Sequence, residues 1–80
     1  MGQIQIANGY LHVDRDFVSV KNQFGIVTEK VARSEVQTAI MRGRDTLVLI
    51  GAGTDLMTVH IQPILSSQIL SWLLKELGRR

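Results

Sequence analysis

The chain has 80 residues, no cysteine, one proline and a formal net charge of +2 at neutral pH. A length of this order makes one domain that buries only about 60% of its unfolded surface, and without cysteine neither a disulfide framework nor a thiolate metal site can reinforce it, which leaves oligomerisation as the common remaining device. The charge excludes a densely basic nucleic-acid face, because the sequence pI of about 9.5 reflects a few arginines dominating the titration of a short chain.

In chain order, Gln3 to Ala7 and Tyr10 to Asp14 alternate polar and apolar residues around Asn8-Gly9, a short-turn signal. They form either a hairpin or one long strand bulged at Gly9. Asp14-Arg15-Asp16 is a polar turn, and Phe17 to Lys21 follows as a strand with Val18 and Val20 on one face. Asn22 to Phe24 turns the chain again, and Gly25 to Thr28 begins a β-branched strand. Glu29 to Glu35 carries single apolar anchors, Val31 and Ala32, among charges and suits a short irregular or one-turn connection.

Val36 to Arg42 is compatible with helix or strand on propensity. The turn signal Gly43-Arg44-Asp45 and the β-branched run Thr46 to Ile50 directly after it favour strand. Leu56 to Ile61 is a third strand, after a flexible Gly51 to Asp55. Leu47 to Ile50 is apolar on both faces, which marks a central strand covered on both sides or one lining a subunit contact. It is also the longest apolar run and far too short to span a bilayer. The first residues show no basic segment leading into an apolar one, and Gly2 has no Ser or Thr at position 6, so the expectation is a soluble, cytoplasmic chain.

Gln62 to Gly78 reads as an amphipathic helix. At about 100° per residue, Leu65, Ile69, Leu70, Trp72, Leu73, Leu74 and Leu77 share one arc, while Ser67, Gln68, Ser71 and Lys75 face the other way. Gln62 or Ser66 is a candidate N-cap, Pro63 suits the first turn, and Gly78 suits a left-handed exit. The arc spans roughly 200°, wider than the stripe of about 100° that a surface helix needs. Leu70 and Leu74 on its margin, with Ile64, Val48 and Ile50, are therefore candidate interface residues, and Trp72, Ile69, Leu73 and Leu77 the structural core. The competing reading is a small curved sheet that wraps more of its helix.

Up to seven short antiparallel strands closed by one C-terminal helix resemble the pleckstrin-homology superfold, in its compact bacterial versions. The Tyr10 to Lys21 hairpin, the Val31 to Val36 stretch, the Leu47 to Ile61 hairpin and Trp72 on the helix's apolar arc carry the resemblance. It implies an α+β, mostly β fold over residues 1–80: a PH-like barrel or sandwich of six or seven strands over about 3–61, closed by an amphipathic helix over about 63–77. Lipid-binding members carry a basic cluster across their first hairpin. Here that hairpin offers Arg15 between Asp14 and Asp16, then Lys21, and two carboxylates cancel most of the field a polyphosphate would feel. Protein contact remains.

Other candidates have ordinary explanations. His12 and His60 lie on strands with nothing in their spacing to make them converge on a metal. Ser66 or Ser67 with His60 and Asp55 lacks the setting of a nucleophile elbow, and Gly51-Ala52-Gly53-Thr54 lacks the Gly-Lys-Ser/Thr of a phosphate loop. Tyr10, Phe17, Phe24 and Trp72 are not spaced as a base-stacking platform, and an Sm-like barrel would put its helix first. Arg42 and Arg44, with Arg79 and Arg80, are the only basic accumulation. The sequence expectation is thus a non-enzymatic protein-interaction module without cofactor or metal, self-associating through the helix and an apolar strand, with no nucleic-acid partner. A peptide would be taken by strand addition at a sheet edge or in a groove beside the helix. The alternative is an adaptor on anionic membrane, contacting lipid through Arg15, Lys21, Arg42 and Arg44.

Overall fold

A computed structural model describes residues 2–78; Arg79 and Arg80, half of the basic accumulation, lie outside them. Seven strands run in order: β1 (Gly2–Ile6), β2 (Gly9–Val13), β3 (Phe17–Asn22), β4 (Val27–Ala32), β5 (Thr38–Met41), β6 (Thr46–Gly51) and β7 (Thr54–His60). A single-turn 3-10 helix at Arg33–Glu35 separates β4 from β5, and another at Pro63–Leu65 leads into α1 (Ser66–Glu76). β1 to β4 form one antiparallel sheet in sequence order and β5 to β7 a second. The fold is therefore mostly β with one C-terminal helix, and the sheets do not close into a barrel.

The alternation of the first two strands resolves as a hairpin, with Ile6 opposite Gly9 and Gln3 opposite His12. Its inward residues Ile6, Leu11 and Val13 meet Val18 of β3, Leu47 and Leu49 of β6, Met57 and Val59 of β7, and Ile69 and Leu73 of α1 in one core. The segment Gly51 to Asp55 is tighter than a flexible loop. Gly51 ends β6, Thr54 begins β7, and the two residues between them, Ala52 and Gly53, have φ of 53° and 77°, the left-handed pair that matches the twist of a hairpin.

Strand β4 overturns the expectation of a connection over Glu29 to Ala32, while the single turn at Arg33–Glu35 agrees with a one-turn connection there. The strand continues to Ala32, pairing Glu29 with Val20, Lys30 with Ser19 and Val31 with Val18. It is an edge strand solvated over most of its length, so its charged residues fit a regular ladder; a bulge at Thr28 removes the period-2 signal.

The α-helix begins three residues later than the expected start at about 63, and neither Gln62 nor Ser66 caps it through a side chain. Ser66 already has helical angles, and the 3-10 turn hands its bonds on, Leu65 N–H to Gln62 O and Ser66 N–H to Pro63 O. Pro63 does occupy the first turn, of the 3-10 segment, and the chain leaves α1 through Gly78 at φ 75°. Ile69 and Leu73 are buried, while Leu65, Leu70, Trp72, Leu74 and Leu77 are partly buried against the same core. The broad arc is thus largely occupied by the domain's own sheets.

Arg33, in the turn after β4, fastens these parts together. Its main-chain N–H donates to Asp16 O, its Nη1 donates to Asp14 O at 3.0 Å, and its Nη2 donates to Glu76 O at the end of α1. One guanidinium thus joins the β2–β3 turn to the helix C-terminus, where backbone carbonyls lack helical partners and a cation is favoured.

Candidate functional site

The most exposed apolar group on a strand or its turn is at the tip of the β3–β4 hairpin. Phe24, Ile26 and Val27 are 78%, 61% and 47% exposed within four consecutive residues. This loop is built, not slack. The Asn22 carboxamide oxygen accepts from Phe24 N–H at 2.9 Å and Ile26 N–H at 3.1 Å, Gly25 N–H donates to Asn22 O, and Asn22 N–H donates to Ile26 O. With the loop's amides satisfied by Asn22, the two large side chains are held outward at a low entropic cost of further ordering.

Directly beside the tip, the open side between the sheets forms a groove of about 270 Å³. Val20, Ile6 and Val59 supply apolar wall, and Lys21, Glu29 and His60 supply charge or titratable groups. Lys21 and Asn22 belong to both features, as the end of β3 and the wall of the groove. On the outer face of the same sheet, Lys30 Nζ sits 4.1 Å above the Phe17 ring.

The structure disperses the predicted lipid contacts. Arg15 lies in the β2–β3 turn and Lys21 at the opposite end of β3. Arg42 and Arg44 lie in the β5–β6 connection, and Arg42 is engaged: its Nη1 donates to Asp55 Oδ2 at 2.8 Å. That bond holds the Asp55 carboxyl below its ordinary range and raises the guanidinium pKa.

Among the predicted interface residues, Val48 is corrected, since it is fully buried and offers a partner no surface. Arg42 N–H bonds Thr46 O, and Asp55 is paired with Ile50. The Arg42–Asp55 ion pair therefore crosses the outer face of β6 diagonally at Val48. Ile50 and, on the helix, Leu70 and Leu74 are partly buried, whereas Ile64 is 85% exposed in the turn before α1.

The polar candidates separate similarly. His12 Nε2 is 3.8 Å from Asp14 Oδ2, and its Nδ1 is buried without a hydrogen-bond partner. The other Asp14 oxygen accepts from Phe17 N–H and Asp16 N–H, which lowers the Asp14 pKa, with the Phe17 bond the larger cause. Asp55 bonds to Arg42 and so does not orient His60. Among the described residues no group of three His, Asp or Glu side chains is placed to hold a metal ion. No described helix is long and apolar enough to cross a membrane.

Phe24 and Ile26 were not among the sequence candidates for an interface. The signal was present: turns are normally polar, and two large apolar residues within the stretch Asn22 to Ile26 have no inward partner on a hairpin tip. Comparison with family models, curated proteins and solved structures found no match.

Proposed function

We propose that this chain is a non-catalytic protein-contact module of pleckstrin-homology-like architecture, and that it docks through the β3–β4 hairpin tip. Two antiparallel sheets followed by a C-terminal helix support the architectural reading. The observation that carries the docking surface is the exposure of Phe24, Ile26 and Val27 on a loop pinned by Asn22. Preorganised aromatic and aliphatic anchors are what protein interfaces concentrate their binding energy in. The helix arc that the sequence offered instead is mostly committed to the core.

Because the chain has no cysteine, a single benzophenone label placed through Ile26→Cys is unambiguous. Irradiation in cells expressing the labelled chain should give a protein adduct of discrete mass, and the same label at Ser71→Cys on the exposed helix face should not. Absence of any protein adduct at position 26, or equal adducts at both positions, overturns the reading. Binding to mixed phosphatidylcholine and phosphatidylserine vesicles, abolished by salt and by Phe24→Asp, would replace it with the membrane reading.

A further inference from the structure

We infer that the partner seated on this hairpin is a second copy of the chain, in a two-fold dimer whose tips enter each other's grooves. This rests on the protein-contact reading and names its partner. A projecting apolar knob (Phe24, Ile26) stands beside an apolar-walled hole (Ile6, Val20, Val59), and Lys21 and Asn22 are shared between them. A knob and a hole adjacent on one surface are self-complementary under a two-fold axis passing between them: when one tip fills the partner's groove, the partner's tip fills the first. Such an isologous contact closes at two copies.

The charges agree with the same axis. On the β3–β4 hairpin, Lys21 is opposite Val27, near the tip, and Glu29 is opposite Val20, deeper in the groove. Reversing one hairpin against the other brings each Lys21 to the other copy's Glu29. Simple edge-to-edge pairing of two β4 strands is disfavoured by comparison. A perpendicular two-fold centred on Glu29 or Lys30 would oppose like charges, and the Thr28 bulge interrupts the ladder.

The area suits a reversible dimer. From side chains of about 150–250 Å² for an aromatic and somewhat less for aliphatics, the tip exposes roughly 350 Å² of apolar surface per copy. Counting the small accessible groove wall that each tip covers, the dimer buries about 900 Å² in total, the size of a weak, reversible contact rather than of a permanent one. Each copy would contribute about a tenth of its 5050 Å² surface.

Light scattering coupled to size-exclusion chromatography reads the outcome, with circular dichroism confirming that each variant is folded. The wild-type chain should elute at twice its 8.9 kDa mass and dissociate on dilution. Phe24→Asp should weaken association at least about 100-fold, the scale of losing a buried anchor. Lys21→Glu and Glu29→Lys should each weaken it by about tenfold, and an equimolar mixture of the two single variants should recover most of the loss, which an ion pair within one copy would not produce. A monomer at millimolar concentration overturns the dimer. A dimer that survives Phe24→Asp and is lost on Leu74→Glu overturns it in favour of a helix interface. If the benzophenone label at position 26 still captures a different protein, only the identity of the partner falls; if it captures none, the docking surface falls as well.

Discussion

Replacing Arg33 with Met tests whether the helix and the first sheet are held together by one side chain. The substitution retains much of the aliphatic stem and removes the donors to Asp14 O and Glu76 O. A hydrogen bond from a charged donor contributes about 1.5–3 kcal/mol, and with Arg33 partly exposed about half of that is retained per bond. A cation at a helix C-terminus adds about 0.3–1 kcal/mol. The sum is about 2–4 kcal/mol, against a total stability of about 4–12 kcal/mol for a domain of this size. At about 4–8 °C per kcal/mol, the melting temperature should fall by about 8–30 °C. Arg33→Lys keeps the charge but not the fork that reaches two carbonyls, so it should recover about half of the loss. Hydrogen exchange provides the local check: the amides of Leu77 and Gly78, which bond to Leu73 O and Lys75 O, should lose protection before the sheet amides do. A melting temperature within about 3 °C of wild type, or a lysine variant indistinguishable from wild type, would refute the clamp.

Two further outcomes follow from single residues. The Asp14 carboxyl is held below its ordinary value of 3.8, chiefly by the amides of Phe17 and Asp16. Its folded pKa is therefore lower than its unfolded one, so its contribution is fully present above about pH 4 and is lost as pH falls through the folded value. Asp14→Asn should flatten the acid side of a urea-monitored stability profile below pH 4, and an unchanged slope would count against the Asp14 turn as a source of acid sensitivity. Gly51→Ala would put a Cβ at 2.0 Å from Glu35 O and 2.7 Å from a Leu56 methyl. The first neighbour is backbone and cannot rotate away, so a loss of about 2 kcal/mol or more in denaturant titration is expected; wild-type stability would mean that the Arg33–Glu35 turn does not pack on β6 as described.

The parts of the fold that were legible in the sequence are those set by local chemistry. Period-2 alternation located β1, β2 and β3, and the Gly43-Arg44-Asp45 signal separated β5 from β6. The helix periodicity put Ile69 and Leu73 in the core. What was not legible depended on distant neighbours. β4 pairs on one side only, so its charged half, Glu29 to Ala32, read as a connection although its start at Val27 and Thr28 read as strand. The outward valine of β6 looked like a subunit contact because the Arg42–Asp55 pair, which joins the β5–β6 connection to β7, brings together residues distant in sequence. Arg33 looked like one charge among several, because its acceptors are main-chain carbonyls, which no sequence pattern reveals.

The same distinction decides where an interface belongs. An apolar side chain on a helix margin has an inward alternative, since a curved sheet can rise to meet it, and Leu70, Leu74 and Leu77 take that alternative. An apolar side chain at the tip of a two-stranded hairpin has none, because the chain reverses there and its Asn22 bonds fix the loop away from the core. Leaving Phe24 and Ile26 exposed costs solubility with no gain in folding, which is why the proposed docking surface is placed there. The width of an apolar arc is thus a weaker sign of association than two large apolar residues in a turn whose backbone is already satisfied.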